Sequence, residues 1–99
     1  MVNKEIKKDI CIIEFYAEWN NENKCLWLNK LSDCNKFVVS LDDNPDLQKK
    51  YEISSLPTII IFEKGKEIDR FKGNIMFQLD ADKKIVQHSI NNLVLNKFQ

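Results

Sequence analysis

The chain has 99 residues, 43% of them hydrophobic, which is enough for one apolar core and too few for two, so a single domain spanning 1–99 is expected. Fifteen Lys and Arg residues balance fifteen Asp and Glu, so the formal net charge is zero and no basic field is present to draw nucleic acid or an anionic membrane surface as partner. The longest unbroken aliphatic run, Ile59-Ile60-Ile61, is far short of the ~18 apolar residues a membrane-spanning helix needs.

Met1 to Lys8 carries charges but no apolar stretch followed by small residues, so it does not read as a secretory signal, and a cytoplasmic location is expected. Residues 10–16, Ile-Cys-Ile-Ile-Glu-Phe-Tyr, are a short apolar run of the kind found in strands buried on both faces. A polar loop, Trp19 to Lys24, follows. Trp27, Leu28, Leu31 and Cys34 then recur at helical spacing, which predicts a helix over 22–33 with one apolar stripe; Leu26 points away from it. Phe37-Val38-Val39-Ser40-Leu41 reads as the second strand, and strand, helix and strand in succession predict a right-handed parallel crossover.

Asp42-Asp43-Asn44-Pro45 is a cluster of turn and helix-capping residues, from which a short helix through Leu47 to Tyr51 is expected. Two β-rich runs, 58–62 and 67–71, flank Glu63-Lys64-Gly65-Lys66, a hairpin signal with glycine available for positive φ. From Gln78 to Lys97 the residues Leu79, Val86, Ile90, Leu93 and Val94 share one helical face and predict a terminal amphipathic helix. The order β-α-β-α-β-β-α defines an α/β domain with a mixed four-stranded sheet and helices on both faces.

Phe15-Tyr16-Ala17-Glu18-Trp19 before a six-residue loop, then Asp42-Asp43-Asn44-Pro45, Tyr51, Leu56-Pro57-Thr58, Phe62, Gly65 and Gly73, together resemble the thioredoxin family over roughly residues 10 to 98. The resemblance implies a thioredoxin-like fold. It implies one trimmed at the N-terminus, because only about nine residues precede the first strand and the usual N-terminal strand and helix are largely missing. It also implies a cis peptide bond before Pro57, with a shallow groove lined by Trp19, Asn20, Leu56, Pro57, Gly73 and Asn74 that binds an extended polypeptide.

The family's redox segment after the tryptophan reads C-G-P-C-K, whereas here it reads Asn20-Asn21-Glu22-Asn23-Lys24. A thiolate must attack a disulfide and a second thiol must resolve the mixed disulfide, and an asparagine amide does neither. Asn20 is expected instead to cap the following helix, with Glu22 favourably placed at the positive end of its dipole. The family's buried acid and its neighbouring lysine match Glu14 and Val38. Glu14 is then either a buried carboxyl with a raised pKa or an outward, solvated one, and it is given no catalytic role.

Cys11, Cys25 and Cys34 are an odd number of cysteines and read as reduced thiols. Cys11 is expected to pack as a small hydrophobe. On a continuous helix Cys25 is partly exposed, and Cys34 lies about 13 Å further along the axis, on the opposite side. No metal site is expected from the cysteines and the solitary His88, and no cofactor. The leading reading is a redox-inactive thioredoxin-like module that binds a protein or extended peptide segment, with its oligomeric state open. One alternative is a divergent thiol-disulfide oxidoreductase using Cys25 alone, with glutathione as a co-substrate. Another is a domain of purely structural value.

Overall fold

The computed structural model describes residues 9–96. Its elements are β1 (Ile10–Tyr16), β2 (Asn35–Ser40), α1 (Pro45–Lys50), β3 (Thr58–Glu63), β4 (Lys66–Lys72) and α2 (Lys83–Asn96), with two 3-10 turns, Glu18–Asn23 and Leu28–Lys30, between β1 and β2. The four strands form one sheet in the order β2-β1-β3-β4. β1 pairs parallel with β2 and antiparallel with β3, which pairs antiparallel with β4. This is the mixed α/β sheet expected from the sequence. The N-terminal trimming concerns a segment whose residues 1–8 lie outside the described residues, as does the last predicted helical residue, Lys97.

The period-2 alternation of the strands divides the core into two layers. Ile10 and Ile12 of β1 join Ile59 and Ile61 of β3 on one face, where α2 covers them with Val86 and Ile90 and the β1–β2 connection adds Leu28, Leu31 and Cys34. Phe15, Ile60 and Phe62 lie on the other face with Leu41 and Ile53, against which Leu47 and Tyr51 of the α1 region pack. β3 is central and its Thr58 to Phe62 are all buried, which explains why that segment is almost purely apolar. Its hairpin turns through Lys64 and Gly65 at φ 52° and 82°, both in the left-handed region that a tight two-residue turn requires.

The helix predicted over 22–33 does not form. Its backbone makes only short i to i−3 bonds, Lys24 N to Asn21 O, Lys30 N to Trp27 O and Leu31 N to Leu28 O. The chain is extended at Lys24 and Leu31 and left-handed at Asp33, φ 64°. Asparagines at 20, 21, 23 and 29 weaken helix because their side chains compete for backbone partners. Two other backbone N–H groups go to distant side chains: Cys25 N donates to Glu14 Oε2 at 2.7 Å and Ser32 N to Gln87 Oε1 at 2.9 Å. The apolar stripe is real, since Trp27, Leu28, Leu31 and Cys34 all meet the core, but turns rather than a helix deliver it. Helix α2 likewise starts later than predicted, because Asp82 Oδ1 accepts from Ile85 N at 2.9 Å and caps it there. Leu79 lies before it, in an antiparallel bridge with Gly73.

Candidate functional site

The site grows from the end of β1. Where the strand leaves the sheet, Ala17 begins the first 3-10 turn and Trp19 projects into solvent, 63% exposed. The turn is anchored from the next crossover, since Glu18 N donates to Asp42 Oδ2 at 2.7 Å. Tyr16 supports it with a hydroxyl bond to Glu18 Oε1 at 3.3 Å and receives the Lys24 ammonium over its ring at 4.2 Å.

Asn20 is not a helix cap. The N-cap of its turn is Ala17, which makes no side-chain cap bond, and with no helix following there is no dipole for Glu22 to complement. Asn20 is instead 5% exposed and bridges two loops: Nδ2 donates to Phe77 O at 3.1 Å and Oδ1 accepts from Asn23 Nδ2 at 2.8 Å. Both positions where the resemblance places redox cysteines are thus occupied by amides bonded to each other. An amide pair fixes loops; it has no lone pair able to displace a sulfur.

The second wall is the loop around Pro57. The Leu56–Pro57 peptide bond is cis, and Thr58 Oγ1 closes the loop by donating to Ser55 O at 2.6 Å. Gly73 packs against it so closely that an added Cβ would stand 2.1 Å from Leu56 O, a contact only glycine permits. Of the six residues expected to line a groove, Trp19 and Asn74 are exposed, Leu56 and Gly73 half-buried, and Asn20 and Pro57 buried. Phe77, from a segment (residues 75–77) to which the sequence pattern assigns no element, packs on the Asn20 and Trp19 side of this surface. Phe77 lays its ring edge-on against Trp19, centroids 5.0 Å apart at 89°, over the Asn20 amide that holds its carbonyl. The available signal was Ile75-Met76-Phe77, three large apolar residues directly after a Gly-Asn turn.

Glu14 lies beneath the site, 1% exposed, on the β1 face shared with Ile10 and Ile12. Of the two orientations the sequence allowed, the inward one is adopted. Burial pushes its carboxyl up from the ordinary value, against the opposing pull of the Cys25 N–H and the Lys24 charge. Oε1 has no hydrogen-bond partner among the described residues. Cys25 is half-buried rather than helix-borne, and burial first, then the nearby Glu14 carboxylate, pushes its thiol up to about 11. Cys34 is fully buried in the core and Cys11 half-buried, its thiol also raised by burial. None of the three forms a disulfide. Val38 is exposed on β2, and His88 is exposed on α2, away from these residues.

A mixed sheet with this strand order, a proline loop opening β3 and a turn carrying Trp after β1 define a thioredoxin-like fold. Solved structures share it: reduced thioredoxin pre-protein from Schistosoma mansoni, 21% identical, matches 93% of this chain and 86% of that one with a TM-score of 0.69. A mutant thioredoxin from Halobacterium salinarum, 20% identical, matches 90% and 78% with a TM-score of 0.66. Mitochondrial thioredoxin-2 of Schizosaccharomyces pombe is 36% identical over 78 residues, 72% of this chain and 59% of that protein. Thioredoxin of Chlamydia caviae is 38% identical over 77 residues, 72% of this chain and 76% of that protein. The chain therefore spans less than two thirds of the first relative and about three quarters of the second. The thioredoxin family model itself matches residues 1–88, and the chain belongs to that family.

Proposed function

We propose that this chain is a redox-inactive member of the thioredoxin family that acts by binding polypeptide through the surface around Trp19 and the Leu56–Pro57 loop, in the cytoplasm. The observation that carries the reading is the Asn20–Asn23 side-chain bond at 2.8 Å, where a dithiol would be needed for exchange. Support for binding comes from Trp19, which stays 63% exposed although its neighbours Ala17 and Asn20 are buried. Large amphipathic aromatics left in solvent beside a rigid scaffold are frequent anchors for partners.

The relatives are named thioredoxins, so a residual activity through Cys25 is the rival. It is disfavoured by a thiol that is half-buried and held mostly protonated near neutral pH. Affinity purification of partners with the wild-type chain and with Trp19→Ala tests the binding reading. Partners recovered by the first and depleted with the second are expected; equal recovery of every partner by both forms contradicts it.

A further inference from the structure

The turn whose Phe77 packs beside Asn20 and Trp19 also presents an apolar surface of its own. Asn74 O accepts from Phe77 N at 2.9 Å, Asn74 N donates to Gln78 O at 2.8 Å, and Asn74 Oδ1 accepts from Met76 N at 2.8 Å and Gln78 N at 3.2 Å. The asparagine therefore satisfies the turn's backbone from within and holds it in one shape. At its tip Ile75 is 92% exposed and Met76 67%, and Phe77, φ 58°, is fixed by the Asn20 amide and by Trp19. Nothing in the turn's geometry requires apolar residues at 75 and 76, since their backbone bonds are independent of side chain.

We propose that Ile75, Met76, Phe77 and Trp19 form a docking surface for a short peptide segment that carries large apolar residues beside lysine or arginine. This deepens the binding reading above, on which it rests, and shifts the contact from the buried floor to the exposed tip. The patch exposes on the order of 500 Å². That is less than the roughly 800 Å² per partner of a standard protein interface, so it fits one segment rather than a second copy of the chain. Charge selects the segment. Glu18 and Asp42 are drawn together on the Trp19 flank by the 2.7 Å bond from Glu18 N to Asp42 Oδ2, Glu22 is exposed in the same turn, and Lys24, the cation of that loop, lies over the Tyr16 ring. The base of the loop carries one charge of each sign, Lys72 and Asp80, whose backbones are joined by the Asp80 N to Lys72 O bond at 3.0 Å. With the whole chain neutral, this acidic rim is a local feature that favours a basic neighbour.

A random dodecapeptide library displayed on phage, panned against the full chain, tests the assignment. Enriched peptides should pair large apolar residues with Lys or Arg. The synthetic consensus peptide should bind Ile75→Ser/Met76→Ser at least about tenfold more weakly than wild type, and Glu18→Gln/Glu22→Gln about threefold more weakly, the second difference disappearing in high salt. Unchanged thermal melting establishes that these surface variants fold. Enrichment of acidic peptides, or full-strength binding by the apolar variant, overturns the proposal. If that binding is nevertheless lost with Trp19→Ala, the wider binding reading survives; if no peptide is enriched over an unrelated control, both fall. Wild-type binding to phosphatidylcholine–phosphatidylglycerol vesicles, or self-association in sedimentation velocity, lost in the apolar variant, also overturns it by naming a different occupant.

Discussion

The β3–β4 hairpin and the connection between β1 and β2 are stabilised in different ways. The hairpin's ladder runs from Thr58 paired with Lys72 to Glu63 paired with Lys66, and its own backbone supplies the bonds. The connection, residues 17–34, has no such repeat. It is tied down by individual side chains reaching in from elsewhere: Asp42 to Glu18, Glu14 to Cys25, Gln87 to Ser32, and Asn20 outward to Phe77. A ladder tolerates the loss of any one surface residue, whereas a tether fails with its residue. The candidate site sits on the tethered half, backed by the rigid one.

The largest effect should come from the rigid half. Ile60, fully buried on β3, when cut to alanine is expected to cost about 2–5 kcal/mol, read from the urea midpoint of the whole domain. Next, Asn20→Ala should cost about 1–3 kcal/mol by stranding the Phe77 carbonyl and the Asn23 amide. It should also shift Trp19 fluorescence as the Phe77 ring loosens, which a change confined to the hairpin would not do. Smaller again is a pH effect at Glu14. A carboxyl with a raised folded pKa contributes its full stability below the unfolded value, ~4.3, and loses it as pH rises through the folded one. Glu14→Gln keeps an acceptor for Cys25 N, so its urea midpoint relative to wild type should climb with pH and then level off. A difference independent of pH would show that the carboxyl is not held up by burial. Least visible is Cys25 itself: mass-mapped alkylation at pH 8 should be slow, because a thiol near 11 is about one part in a thousand thiolate there. Rapid labelling at neutral pH would break the contrast between a tethered and a reactive loop.

What the sequence disclosed follows the same division. β1 over 10–16, the hairpin and the two-faced core were legible because a short apolar run bounded by polar residues and a Lys-Gly turn are properties of the segment itself. The helix over 22–33 was misread because the spacing of Trp27, Leu28, Leu31 and Cys34 records which residues meet the core, and two 3-10 turns satisfy it as well as a helix does. Asn20 looked like a cap because its bond to Phe77 O spans 57 residues, and no local pattern reports such a partner. Glu14 was undecided until its face was known to be shared with Ile10 and Ile12. Leu56-Pro57-Thr58 and Gly73 were identified by resemblance, and their close packing is visible only in three dimensions.

The central claim is that this family member carries no exchanging sulfur at the site beside Trp19. Reduction of a protein disulfide such as insulin by the purified chain, with dithiothreitol as electron donor, measures it directly. The expected rate equals the dithiothreitol blank for wild type and for Cys25→Ser alike. Wild-type turnover above that blank contradicts the account, through Cys25 if replacing that residue abolishes it and through another sulfur if it persists.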